Sequence, residues 1–171
     1  MRNHFSKIFW GLLVVVIDIS INGFDVLADS VGYLIIAAGC RGLAGHSPGF
    51  STAGTLAFVL AVLSLIGFAV PGEIAAGQGV ATSVVNCVFF WQLLGGIAEF
   101  AIRRDRPDRA KRAENLRIAY VAIIAGTTFF VYALSRWQDA APLVVLLFVS
   151  FFVLMAMILH LIHRTKIELA N

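Results

Sequence analysis

Six apolar stretches dominate this chain, at Ile8–Ile21, Val31–Leu43, Thr52–Val70, Val80–Ile102, Leu116–Leu134 and Pro142–Ile162. A helix needs about 20 predominantly apolar residues to cross the hydrocarbon core of a bilayer, and the last four stretches meet that length. A water-soluble domain carries about 25% charged residues. Here 13% are charged and 60% hydrophobic, too few polar side chains to cover a globule in water. The chain is expected to form one all-α integral membrane domain over residues 1–171, a multi-pass transmembrane helical bundle.

The first two stretches are short and must share a turn, for which Asn22-Gly23 is the strongest signal. With a turn there, Asp25 can cap the second helix, and the spans become 5–21, 26–43, 52–70, 80–102, 116–134 and 142–162. The N-terminal Met-Arg-Asn-His-Phe-Ser-Lys run superficially fits a secretory signal. No small-x-small cleavage pattern follows it, and Asp18 interrupts the apolar run, so a retained first span is expected. Six crossings with both termini in the cytoplasm put twelve of the 13 Lys and Arg residues inside and only Arg136 outside. That is the positive-inside pattern of a bacterial inner-membrane protein. Four spans plus a re-entrant hairpin would preserve the same parity.

The first hairpin holds the best candidate site. Asp18, Asn22, Asp25 and Asp29 are spaced by four, three and four; on one continuous helix they would lie within an arc of about 60°. Ionisable groups at membrane depth are costly and usually functional. The Asn22-Gly23 turn splits the set. Asp25 and Asp29 then share the start of the second helix, where carboxylates suit the positive end of the dipole. Asp18 lies a turn inside the first span and needs a partner, water or a raised pKa. Tyr33, two turns from Asp25, can donate a hydrogen bond into the group. The carboxylates could bind a cation or exchange a proton, or simply cap and pack.

Gly23, Phe24, Asp25, Leu27, Asp29, Gly32 and Tyr33 give this hairpin a pattern that resembles a family of small bacterial integral membrane proteins. The signature of that family runs Gly-Phe-Asp-x-Leu-Pro-Asp-x-x-Gly-Tyr. Ala28 stands where the family has proline, which leaves the local turn less rigid. The resemblance covers about the first 45 residues closely and implies a membrane fold and an important hairpin. It implies no substrate.

Further polar residues lie in the fourth span. Asn86, with Ser83, makes one patch, and Gln92 and Glu99, seven apart, share a face. Amides in lipid need partners, so Asn86 and Gln92 are expected to bond between helices or to line a polar path. Glu99 is expected to pair with Arg103. The 103–117 segment is read as a cytoplasmic loop with a short helix supported by Asp105–Arg109 and Asp108–Arg112 pairs. Its Arg103, Arg104, Arg106, Arg109, Lys111 and Arg112 offer contact to anionic lipid or a partner. It has no aromatic residue, so no nucleic-acid partner is expected. Pro71–Gly79 reads as a glycine-rich external loop. Gly54, Ala57, Ala61 and Ser64 in the third span, and Ala119, Ala122 and Gly126 in the fifth, read as packing seams.

Cys40 and Cys87 read as small apolar packing residues. Trp10, Trp91 and Trp137 invite an anchoring role at the interface, and His160 and His163 one in a polar belt. Neither a metal nor any other cofactor is expected. No catalytic motif appears, and the acidic hairpin and the histidine pair would lie on opposite sides of the membrane. Two functions remain. One is a small transport or ion-permeation subunit using Asp18, Asp25 and Asp29, with a homo-oligomer or another membrane subunit completing the path. The other is a non-transporting scaffold that docks lipid or a partner through its basic segment.

Overall fold

The computed structural model describes residues 1–16, 25–69, 72–134 and 141–168, with side chains described for 1–16, 29–66, 79–127 and 145–168. It is all-helical: α1 (Arg2–Val16), α2 (Asp25–Leu43), a 3₁₀ turn (Ala44–His46), α3 (Pro48–Ala69), α4 (Gly72–Arg103), α5 (Pro107–Leu134) and α6 (Ala141–Glu168). Each helix packs on its neighbours in sequence, and α6 returns to pack on α1. Among the described residues the result is a closed ring of six helices.

Among the described residues, three helical segments are long and apolar enough to cross a membrane: Pro48–Ile66, Gly79–Arg103 and Val145–Glu168. The outward face of α6 supports the lipid assignment. Val145, Leu146 and Phe148 are each more than 60% exposed, a contiguous apolar surface that water would not tolerate at this size.

The interior is filled by large side chains. Phe5 of α1 meets Phe50 of α3 edge-on at 6.0 Å and Phe100 of α4 at 5.3 Å, and all three are buried together with Ile36, Phe89 and Leu93. Close helix approach depends on glycine. A Cβ on Gly11 of α1 would fall 2.7 Å from the Gly32 carbonyl oxygen of α2, and one on Gly49 of α3 would fall 2.9 Å from the Gly96 nitrogen of α4. The α3 seam is as expected: Gly54 faces Cys40 of α2, and Ala57 and Ala61 are buried. The α5 seam is not. Ala122 and Gly126 are exposed, and Ala113, Leu116 and Tyr120 carry the buried face instead.

Two connections differ from expectation. The stretch 71–79 is not a loop, because α4 begins at Gly72; Pro71 just ahead of it, Glu73 in the first turn and Ala75-Ala76 all favour a helix start. The 103–117 segment is not a loop either. Only residues 104–106 separate α4 from α5. Asp105 adopts φ 56° there. The Arg106 N–H donates to the Ala101 carbonyl and the Asp105 N–H to that of Ile102, a Schellman close. Pro107 then opens α5 at the position where its missing N–H costs nothing.

One end of the bundle gathers the start of α1, the end of α2, the starts of α3 and α5, and the ends of α4 and α6. Lys166 Nζ lies 3.2 Å from Ser6 Oγ, and an Arg104 nitrogen 3.2 Å from Met1 Sδ. The first residue and the end of α6 therefore meet at this basic end.

Candidate functional site

The acidic hairpin is partly visible. The side chains of Asp18, Asn22 and Asp25 lie outside the described residues. Asp25 is the first residue of α2, one position ahead of the expected start and within the usual uncertainty of helix ends. Asp29 is half-buried and one turn from Tyr33 on the same α2 face. Tyr33 is buried and donates its hydroxyl to Asn86 Oδ1 of α4 at 3.0 Å. The expected α2 donor and the expected interhelical amide thus satisfy each other. Thirteen residues separate Asn86 from Glu99, or about 20 Å of helix, so the bond lies well away from the basic end along α4. Below Tyr33, Phe89 packs edge-on at 6.2 Å, and Phe90 meets Tyr120 of α5 at 4.3 Å.

The second polar constellation lies at the basic end. Ser47 precedes Pro48, and its backbone is extended (φ −161°, ψ 139°), as an N-cap requires. Its Oγ accepts the Gly49 N–H at 3.0 Å and donates to Glu99 Oε2 at 2.5 Å. Glu99 therefore answers the positive start of α3. Among the described residues it makes no ion pair with Arg103, contrary to expectation; Arg103 is exposed at the last turn of α4.

Beside Ser47 a groove of about 190 Å³ opens between α3, α4 and α5, lined by Thr52, Gln92, Gly95, Glu99, Glu114 and Arg117 among others. Gln92 and Glu99 share this face as their spacing implied. Arg117 of α5 lies over the Trp91 ring, its central carbon 3.7 Å from the centroid. One of its terminal nitrogens sits 3.1 Å from Glu114. Its Nε is buried without a hydrogen-bond partner. Trp91, expected as an anchor, is here the platform for a guanidinium.

A third cluster ties the helix ends together. Glu168 of α6 accepts two bonds from Arg109 Nη2, at 2.8 and 2.9 Å, and one from Arg164 at 3.0 Å, with Arg106 at 3.6 Å. Arg109 lies 3.6 Å from adjacent Asp108 and pairs across to α6 rather than with Asp105. Arg103, Arg104, Arg106, Lys111 and Arg112 are exposed. His163 packs on Phe9 of α1 at 5.6 Å, and His160 is exposed. Cys40 is buried and free, Cys87 half-buried and free.

Sequence reasoning missed Ser47, Glu114 and Arg117 as site residues. Ser47-Pro48 ahead of an apolar run was a legible helix-start signal; the pairing of Arg117 with Trp91 across two helices was not. Comparisons with protein-family models, with curated proteins and with solved structures found no match to this chain.

Proposed function

We propose that this protein is a six-span bacterial inner-membrane protein with both termini cytoplasmic, which binds a cation or exchanges a proton at its acidic end, opposite the termini. The observation that carries this reading is the interhelical Tyr33–Asn86 bond, one turn from half-buried Asp29. A carboxylate at the mouth and a hydroxyl–amide pair behind it form the start of a polar route through apolar helices. The aromatic packing beyond Tyr33 argues for binding and release at that end, with the through-path completed by a second copy of the chain. In proteoliposomes, the wild type should pass a cation- or pH-dependent flux that Asp18→Asn and Asp29→Asn each abolish with helix content unchanged. A folded wild type without flux overturns it.

A second reading has its own support. The exposed row Arg103, Arg104, Arg106, Lys111 and Arg112 faces outward toward anionic lipid or a partner, although Arg106 also reaches Glu168 and Arg104 also contacts Met1, whereas the less exposed Arg109 is bound to Glu168. A scaffold of this kind should release a co-purifying partner when those five are neutralised, and it fails if none is ever recovered.

A further inference from the structure

The groove between α3, α4 and α5 contains charges of both signs in a small space, and it lies at the basic end of a protein whose flanks face lipid. Its volume of about 190 Å³ far exceeds the ~10–15 Å³ that one water needs. Glu99 and Glu114 supply two negative charges and Arg117 one positive, so the formal balance of the groove is −1. An anionic ligand is opposed by that balance, and a bare cation makes no use of Arg117. A headgroup carrying a phosphate and an ammonium meets both.

The individual groups fit such a headgroup. Glu99 spends Oε2 on Ser47 and keeps its second oxygen, Glu114 is about half exposed, and Gln92 adds an amide oxygen. Together they offer three acceptors, the number a primary ammonium can use and a quaternary one cannot. Arg117 is held from behind by the Trp91 ring and alongside by Gly95, where a Cβ would lie 3.4 Å from its guanidinium. Only part of its donor set is used by Glu114, and its buried Nε has no partner. A planar cation fixed in this way is prepared for phosphate oxygens.

Apolar surface leads away from the groove along the same helices. Val84, Val88 and Trp91 fall at i, i+4 and i+7 on α4, in line with Gly95, and are 58%, 42% and 38% exposed. On α3, Val59, Val62 and Ile66 continue below Thr52 and are also exposed. Two apolar rows beginning at a polar mouth suit a ligand whose headgroup is tethered to acyl chains.

We propose that this groove is a binding site for an aminophospholipid of the phosphatidylethanolamine class. Its ammonium sits between Glu99 and Glu114, its phosphate on Arg117, and an acyl chain lies along Val84, Val88 and Trp91. The site depends on the chain lying in a bilayer, not on the ion-exchange reading, and it is separate from the exposed basic row. The test is native mass spectrometry of the full chain released from vesicles holding equal fractions of dioleoyl phosphatidylethanolamine, its N-monomethyl and N-dimethyl derivatives, phosphatidylcholine and phosphatidylglycerol. Phosphatidylethanolamine should be retained about tenfold over phosphatidylcholine, with retention falling at each N-methylation. That preference should vanish in the Glu99→Gln/Glu114→Gln variant. Equal retention of the two lipids, no retention of either, strongest retention of phosphatidylglycerol, or a preference unchanged in the double variant would overturn the proposal. The methylation series needs no variant, so it decides the matter even if the double variant does not fold.

Discussion

Placing alanine at Gly49 and at Gly126 makes the same chemical change with opposite expected signs. A Cβ at Gly49 would stand 2.9 Å from the Gln92 carbonyl oxygen and 2.9 Å from the Gly96 nitrogen. Both are α4 backbone atoms, which cannot rotate away as a side-chain tip can. Ordinary contact needs about half an ångström more, so α3 and α4 must part. A gap of ~0.5–1 Å forfeits a quarter to a half of each dispersion contact it opens, and Phe50, Phe89 and Leu93 are packed around this crossing. Overpacking of this kind costs about 1–3 kcal/mol. For a chain of this length that is a fall in Tm of about 2–4 °C per kcal/mol. At Gly126 a Cβ meets nothing within 4 Å, so alanine keeps only its helix preference, about 0.8–1.0 kcal/mol, and Tm should rise by a few degrees. Thermal unfolding of the purified protein in one detergent, followed by circular dichroism, measures both. Gly49→Ala melting no lower than wild type, or Gly126→Ala melting as low as Gly49→Ala, would refute the close-approach reasoning.

Three other outcomes follow from the contacts. Ser47→Ala removes an N-cap, worth about 1 kcal/mol, together with the bond to Glu99, whereas Ser47→Thr keeps both; a melting experiment should place Thr near wild type and Ala below it. Tyr33→Phe strands the Asn86 oxygen and should cost about 0.6–1.7 kcal/mol, the range for bonds between membrane helices. Pairing it with Asn86→Leu should recover much of the loss in a double-mutant cycle, because two apolar groups leave nothing unsatisfied. Glu168→Gln leaves Arg106, Arg109 and Arg164 facing one another. Hydrogen exchange at the end of α6 should accelerate, and the difference from wild type should shrink as salt is raised, since these groups are partly exposed.

The helices were legible in the sequence where apolar runs were long, and least legible where composition and context conflict. Glycine and proline at 71–79 look like breakers, yet α4 starts at Gly72, because proline ahead of a helix and an acidic residue in its first turn favour that start. The basic segment reads as a loop by charge alone, while its pattern of Pro107, Ala110 and Ala113 belongs to a helix with a narrow buried edge. Within the candidate site, the sequence placed Tyr33 two turns from Asp25 as a donor into the acidic group, and the structure turns its hydroxyl to Asn86 of α4 instead. The choice of partners was not legible. Tyr33 finds Asn86 fifty-three positions away, and Glu99 prefers Ser47 fifty-two positions away to Arg103 one turn along its own helix. Local spacing favoured the nearer pair, and the crossing of α3 over α4 at Gly49 and Gly96 selected the distant one.

That crossing also links stability to any activity at the basic end. Gly49 lines the groove and sits against Gly96, while adjacent Ser47 holds Glu99 in place. The spacing of α3 and α4 therefore sets how Ser47 holds the Glu99 carboxylate against the groove. A substitution that forces α3 outward must widen the groove at its Gly49–Thr52 side and loosen the hold of Ser47 on Glu99, while the Arg117–Trp91 contact between α5 and α4 stays in place. In Gly49→Ala the discrimination among N-methylated headgroups should consequently weaken, while the Arg117 guanidinium stays on the Trp91 ring. Loss of both together would mean that α4 and α5 had moved as well and that the two walls are not independent. Asn86, the partner of Tyr33, lies ten positions along α4 from Gly96, or about 15 Å of helix, so the effect of Asp29→Asn should be the same with or without Gly49→Ala, an additivity expected of sites this far apart.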